Sequence, residues 1–186
     1  MKKILLIFGT RPEAIKMLPL FLELKESAFF YPVICLTGQH KELLDQVLEI
    51  FNVKPEYNLS IMKKNQDLFS ITSDILLGLK DILQSEKPDL VMVHGDTTTS
   101  MAAALSSFYL NIPVAHIEAG LRSNNSRSPF PEEMNRNITS KLATYHFSPT
   151  AENRENLLDE GINGESIFVT GNTGIDALKY IISQSK

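Results

Sequence analysis

Cysteine is almost absent from this sequence of 186 residues, because Cys35 is the only one. One thiol cannot build a disulfide framework, which excludes a small disulfide-stabilised secreted domain and favours a cytoplasmic location. Cys35 lies within the apolar run at residues 33–36. A buried, unreactive thiol is therefore expected there, and not a nucleophile or a metal ligand.

Long apolar runs and basic clusters are also missing. No stretch approaches the ~20 apolar residues that a membrane-spanning helix needs. The apolar residues after Lys2 and Lys3 end at Phe8 without the small-residue cleavage site of a secretory signal. The net charge is −4 and no basic stripe is present, so neither a membrane nor a nucleic acid is an expected partner.

The sequence does contain a regular alternation of short apolar runs with longer helical patterns, which is typical of βαβ units. Helices are predicted at residues 13–25, 41–51, 67–85, 99–109, 132–143, 152–160 and 173–182. Strands are predicted at residues 4–8, 32–36, 90–94, 114–117, 145–147 and 167–169, with a further short strand near 57–61. We therefore expect an α/β fold, a three-layer Rossmann-like parallel sheet.

The first turn, FGTRPEAIK at residues 8–16, lacks the G-x-G-x-x-G fingerprint of a dinucleotide-binding fold. Thr10 and Glu13 form a capping-box pattern, and Pro12 suits the first turn of a helix. Capping does not explain Arg11 and Lys16, because cations near a helix N-terminus oppose the helix dipole unless an anion lies there. The two cations predict an anion site.

Two acidic residues, Asp96 and Glu118, end strands that are expected to be neighbours, and each lies two residues after a histidine, His94 or His116. One interpretation is a metal site, since imidazole and carboxylate suit zinc or manganese. We favour another, in which the histidines are hydrogen-bonded strand residues and no metal is held. Facing carboxylates have pKa values that move apart, which suits acid–base catalysis. Asp96 could instead only cap the next helix.

The polar loop at residues 124–131 leads into a helix that begins at Pro131. Glu132 and Arg136 are four residues apart on that helix, where a surface ion pair is as good an explanation as a functional one. The loop follows Glu118 and Arg122 closely, so it is well placed to close over a ligand.

Six segments, taken together and in order along the chain, resemble the non-hydrolysing UDP-N-acetylglucosamine 2-epimerases. They are GTRPEAIK at 9–16, QH at 39–40, HGDTTT at 94–99, HIEAGLR at 116–122, PFPEEMNR at 129–136 and VTGNT at 169–173. The resemblance implies two Rossmann-like domains of the glycosyltransferase-B type around a shared active-site cleft. Residues 1–171 would form the N-terminal domain, and 172–186 a terminal helix or the start of a linker to a C-terminal domain that this chain does not contain.

The resemblance also implies an activity. Such enzymes interconvert UDP-N-acetylglucosamine and UDP-N-acetylmannosamine by anti elimination of UDP to a 2-acetamidoglucal, followed by re-addition of UDP. They need no metal and no nicotinamide cofactor. A cytoplasmic homodimer that serves cell-surface polysaccharide biosynthesis is expected.

The resemblance gives roles to individual residues. Arg11 and Lys16 match positions that bind the nucleotide diphosphate. Asp96, Glu118 and Glu132 match carboxylates that move the C2 proton and stabilise the cationic sugar, with no assignment of one carboxylate to one face.

Three further residues match functional positions of the family. Arg136 lies beside the carboxylates on the helix and is expected to contact the substrate. Gln39 and His40 match part of a second, allosteric UDP-N-acetylglucosamine site.

Three alternatives remain at this point. A hydrolysing epimerase would release free N-acetylmannosamine, although that branch lacks the Thr-Arg-Pro-Glu sequence of the first turn. A lone domain could be a non-catalytic module that binds UDP-sugars or a separately encoded second half. A metal-dependent hydrolase built on the two histidines and the two acids is the third. Because the resemblance assigns a catalytic histidine to the C-terminal domain, we expect this chain alone to have little or no epimerase activity.

Overall fold

The computed structural model describes residues 1–38, 41–63 and 65–184. The strands are β1 Lys2–Phe8, β2 Phe30–Leu36, β3 Tyr57–Asn58, β4 Leu90–His94, β5 Val114–Ile117, β6 Tyr145–Ser148 and β7 Ile167–Val169. The α-helices are α1 Arg11–Glu26, α2 Lys41–Ile50, α3 Leu68–Glu86, α4 Thr98–Tyr109, α5 Glu132–Leu142, α6 Ala151–Asp159 and α7 Thr173–Gln184. A short 3₁₀ turn, Gly164–Ser166, precedes β7.

The strands form one seven-stranded sheet in the order β3-β2-β1-β4-β5-β6-β7, and every neighbouring pair is parallel. The predicted Rossmann-like α/β sheet is confirmed. The predicted short strand near 57–61 is only two residues long in the structure, Tyr57–Asn58. Chain order reverses between β1 and β4, and ligands of such sheets bind in the crevice beyond the carboxyl ends of the strands at this point.

Side-chain alternation along the strands explains the three layers, because successive residues of a strand point to opposite faces. In β1, Ile4, Leu6 and Phe8 pack against α1, α2 and α7, while Leu5 and Ile7 pack against α3 and α4. The central strands are buried on both faces, as expected for a parallel sheet covered by helices.

The single cysteine lies in β2, the strand next to the edge strand β3. Cys35 in β2 is fully buried, and burial raises the pKa of its thiol to about 12. The prediction of a buried thiol is therefore confirmed, and a raised pKa disfavours the reactive thiolate.

The last helix, α7, packs on the same core as α1 and α2. Ala177 is buried there, and the ring of Tyr180 stacks on Phe51 with 4.8 Å between ring centroids. The division between residues 171 and 172 stays a prediction. Within the described ranges, no helix is both long enough and apolar enough to cross a bilayer.

Candidate active site at the carboxyl ends of the strands

The turn after β1 is held by a buried glutamate. Thr10 and Glu13 form the predicted capping box, in which the Glu13 carboxylate accepts hydrogen bonds from the backbone amides of Gly9 and Thr10 at 3.0 and 2.8 Å. Its other oxygen accepts from the hydroxyls of Thr97 and Ser100 at 2.7 and 3.2 Å. Glu13 therefore links the first turn to the start of α4, and its role is structural.

The two cations that capping does not explain have different surroundings. Arg11, the first residue of α1, is exposed, and its guanidinium makes no hydrogen bond or ion pair with the described residues. Lys16 is half-buried, and its ammonium donates to the carboxylate of Glu118. The structure thus connects the first turn to the end of β5.

Glu118 follows β5 in a left-handed backbone conformation, with φ of 63°. A non-glycine residue pays a conformational penalty there, and such strained residues concentrate at functional sites. The sequence carried no signal for this conformation. The left-handed conformation of Glu118 turns the chain sharply directly after β5, at the crevice.

One oxygen of the Glu118 carboxylate receives all of its polar contacts. Oε2 accepts from Lys16 and from the side-chain amide of Asn172 at 3.3 Å, and it lies 3.7 Å from Nε2 of His94. Oε1 has no hydrogen-bond partner among the described residues. The carboxylate is therefore anchored through one oxygen, and the other remains available to a ligand.

These neighbours also set the acidity of the group. Burial by itself raises the pKa of Glu118, but His94 and the ammonium of Lys16 outweigh burial and lower the pKa from 4.5 to about 2. Glu118 is consequently an anion at neutral pH.

Asp96 is held by α5 and does not cap a helix. The N-cap of α4 is Thr97, whose hydroxyl accepts from the amide of Ser100, so the capping interpretation of Asp96 is wrong. The Asp96 carboxylate accepts a hydrogen bond from the guanidinium of Arg136. The backbone carbonyl of Asp96 accepts a hydrogen bond from the side-chain amide of Asn135 at 3.0 Å. These contacts dock α5 against the end of β4.

The proposed surface pair between Glu132 and Arg136 does not form. Arg136 is buried and instead donates to Glu133, three residues earlier, at 2.7 Å. Glu133 is itself 2% exposed and accepts from the amide of Ser123. Burial by itself raises the pKa of Glu133, but the Ser123 amide and Arg136 lower it overall.

Glu132 is the first residue of α5 and is half-buried. Its carboxylate forms no hydrogen bond or ion pair within the part of the chain that the structure describes. Glu132 lies one helical turn before Arg136, on the side of α5 that meets Asp96. The geometry leaves its carboxylate free for a ligand.

The histidines behave differently from one another. Nε2 of His116 donates to the carbonyl of Gly95 at 2.7 Å, and burial lowers its pKa to about 3 even though this bond opposes the shift. His116 is thus the hydrogen-bonded strand residue that was expected, and its lowered pKa keeps the ring neutral at pH 7. His94 faces Glu118 from the neighbouring strand, and its Nε2 has no hydrogen-bond partner.

Among residues 1–38, 41–63 and 65–184, no three or more His, Cys, Asp or Glu side chains come together in a way that could hold a metal ion. The allosteric prediction for Gln39 and His40 falls outside the described residues. Arg122 is nearly buried and pairs with Glu160, with 2.8 Å between Nη2 and Oε2. It therefore anchors the loop after β5 to the end of α6.

Two residues near the site were not singled out by the sequence. Asn172, in the segment VTGNT, contacts Glu118 and also accepts from the amide of Gly174 at 2.9 Å, at the start of α7. The sequence does not distinguish Glu133 from Glu132 as the partner of Arg136, because spacings of three and four residues are equally compatible with a pair on a helix. Both residues are identified only by the contacts that they make in the folded chain.

The sequence is similar to known proteins along most of its length. A family model described as UDP-N-acetylglucosamine 2-epimerase matches residues 22–186. The UDP-N-acetylglucosamine 2-epimerase of Escherichia coli strain K12 is 55% identical over 182 residues, a match that covers 98% of this chain and 48% of that protein.

Solved structures give the same result. The UDP-GlcNAc 2-epimerase from Neisseria meningitidis bound to UDP-GlcNAc matches with a TM-score of 0.95 and 53% identity, covering 98% of this chain and 49% of that one. The Methanocaldococcus jannaschii enzyme in complex with UDP-GlcNAc and UDP matches with a TM-score of 0.89 and 41% identity, covering 94% of this chain and 48% of that one. This chain spans about half the length of the relatives it matches. The similarity supports the predicted fold, one half of a glycosyltransferase-B-type architecture.

Proposed function

Because this chain belongs to the UDP-N-acetylglucosamine 2-epimerase family, we propose that it is the N-terminal part of an enzyme that interconverts UDP-N-acetylglucosamine and UDP-N-acetylmannosamine. The reaction is elimination of UDP followed by its re-addition. The observation that carries the proposal is the cluster at the end of β5, where the strained Glu118 is bound by Lys16 from the first turn. This cluster joins an acid–base group to a phosphate-binding cation.

The proposed chemistry starts at C2 of the sugar. A carboxylate takes the C2 proton, the electron pair of the C–H bond forms the C1–C2 double bond, and the C1–O bond breaks. UDP leaves with the bonding electrons. Re-addition of UDP to C1, with a proton delivered to the opposite face of C2, yields the epimer.

Each group of residues supports one part of this sequence. Arg11 and Lys16 stabilise the negative charge that builds on the departing diphosphate. Asp96, Glu118 and Glu132 supply the carboxylates for proton transfer and for stabilising positive charge on the sugar ring. Arg136, which binds the Asp96 carboxylate, orients it and borders the sugar site.

A second, C-terminal Rossmann-like domain completes the proposed enzyme. The support is that this chain spans about half of each relative, 48% of the Escherichia coli protein and 49% of the Neisseria meningitidis chain. The proposal is tested with a joined protein, in which this chain is followed by the C-terminal half of the Neisseria meningitidis relative. Incorporation of solvent deuterium at C2 of UDP-N-acetylglucosamine is expected for the joined protein and not for the chain alone. A well-folded joined protein that binds the substrate without exchange at C2 would contradict the proposal.

Replacement of Arg11 by Gln is expected to weaken binding of UDP about tenfold, the size of one charge-assisted hydrogen bond. The physical reason is that Arg11 is exposed and unpaired within the described chain, so its full charge is available to a diphosphate. Isothermal titration of UDP at two salt concentrations measures the effect, which should shrink at higher salt.

The matched control for Arg11→Gln is Lys25→Gln. Lys25 is an exposed cation in the last turn of the same helix, far along α1 from the first turn. The control should bind UDP as the wild type does. Equal weakening by both substitutions would show that only net charge matters and would remove Arg11 from the site.

We also propose a cytoplasmic homodimer. The support for the dimer is an exposed apolar surface on α3 and α4 that includes Phe69, Leu77, Phe108 and Tyr109, of which Leu77 and Tyr109 line one groove. Sedimentation equilibrium is expected to give the mass of two chains. A Leu77→Glu variant should sediment as one chain, and dimers that persist in this variant would place the contact elsewhere.

A further inference from the structure

His94 is a buried polar residue whose contacts are incomplete. It is the last residue of β4 and is 5% exposed. Its Nε2 has no hydrogen-bond partner in the structure. An apolar side chain of similar size would fill this position without leaving a buried polar atom unpaired, so stability alone does not account for a histidine here. Local rules are most often broken at functional sites.

The unpaired nitrogen points toward the anchored oxygen of Glu118. Nε2 lies 3.7 Å from Oε2, the same oxygen that accepts from Lys16. This separation is too long for a hydrogen bond, but a shift of under about 1 Å would make one. Both the Nε2–H tautomer of the neutral ring and the imidazolium can donate to a carboxylate.

Two anions compete for the ammonium of Lys16. The structure pairs it with Glu118, whereas the proposed function assigns it to the diphosphate. We propose that His94 is a positioning residue that donates to Oε2 of Glu118 when Lys16 turns to the phosphates. Glu118 then keeps its orientation and its ionised state, with Oε1 still directed to the ligand. This inference rests on the proposed function for the role of Lys16.

The charged and titratable groups around this pair are few in the described part of the chain. Glu118 is faced by Lys16 from α1 and by His94 from β4, and Asn172 adds an uncharged donor from the start of α7. His94 is also approached by His116 from β5, which is neutral because burial lowers its pKa to about 3. A change in the acidity of Glu118 on substitution of His94 can therefore be traced to this contact.

The test follows the Glu118 carboxyl carbon by ¹³C NMR in the chain labelled at the glutamate carboxyl, with the signal assigned by its loss in Glu118→Gln. His94→Leu removes the donor at nearly equal volume, and His94→Gln retains a donor near the position of Nε2. We expect His94→Leu to raise the pKa of Glu118 by about 1 pH unit in the free chain and by more with UDP added. His94→Gln should restore most of the wild-type value.

Thermal unfolding separates positioning from structural support. The melting temperature of His94→Leu is expected to equal or exceed that of the wild type, because the buried unpaired nitrogen is gone. A Glu118 pKa that is unchanged in His94→Leu, with or without UDP, overturns the inference, as does a lower melting temperature with no change in that pKa.

Failure of the proposed function has a different signature. If UDP shifts no signal in the wild type, the UDP-binding role of Lys16 fails, and the exchange of partners fails with it. The titration of the free chain still decides whether His94 acts on Glu118.

Discussion

Substitution of Glu118 by Gln is expected to slow deuterium incorporation at C2 of the sugar by a factor on the order of 10²–10⁴, the usual contribution of a positioned acid–base group. Glutamine has the same size and can still accept hydrogen bonds from Lys16 and Asn172 at its side-chain oxygen. It cannot take a proton from carbon. The joined protein provides the assay, and the loss should appear in kcat, because removal of an acid–base group leaves substrate binding largely intact.

Glu155→Gln is the matched control for this substitution. Glu155 lies on the surface of α6, where its side chain is 62% exposed and pairs with Arg154. Its replacement should leave the exchange rate within experimental error of the wild type. A Glu118→Gln enzyme that exchanges deuterium at a similar rate would remove Glu118 from proton transfer and leave that step to Asp96 or Glu132.

Substitution of Gly120 by Ala is expected to destabilise the fold by about 3 kcal/mol or more, which combines the left-handed backbone penalty with overpacking. Gly120 has φ of 90°, and a Cβ added there would lie 2.0 Å from the backbone carbonyl oxygen of Asn153. That oxygen belongs to α6 and cannot rotate away as a side chain could. Helix α6 would have to move away from the loop after β5. Urea unfolding of the wild type and the variant measures the loss in the free energy of unfolding.

Gly161→Ala separates the two contributions. Gly161 has φ of 79°, but a Cβ there would have nothing within 4 Å. Its substitution should cost only the left-handed penalty, roughly 1 kcal/mol. Equal costs at both positions would show that the close approach of α6 to Gly120 does not limit stability.

The fold could be predicted from the sequence because its signals are local. Apolar residues of period 2 and period 3.6 indicated the strands and helices, and Thr10 with Glu13 indicated the start of α1. The strands before Asp96 and Glu118, β4 and β5, are expected to be neighbours and do pair in the sheet, so both residues lie at the carboxyl ends of adjacent strands, where ligands of parallel sheets bind. These inferences needed no knowledge of how one helix docks on another.

The contacts within the candidate site could not be predicted in this way. His94 pairs with Ile117 in the sheet register, and the left-handed turn at Glu118 then brings that carboxylate beside His94 and not beside His116. The choice between Glu132 and Glu133 as the partner of Arg136 depends on how α5 docks against Asp96. The approach of Glu118 to His94 and the pairing of Arg136 with Glu133 both depend on tertiary geometry. Residue spacing in the sequence does not carry that information.

The carboxylate of Glu13 has a mechanical consequence for how a ligand enters. Because it ties the backbone after β1 to the hydroxyls of Thr97 and Ser100, the turns that follow β1 and β4 cannot separate without breaking hydrogen bonds of this buried carboxylate. These two turns should therefore behave as one rigid unit on this side of the crevice. Arg11 and Lys16 lie on the helix that follows the first of these turns, so their backbone is expected to keep its position when a ligand enters or leaves the crevice.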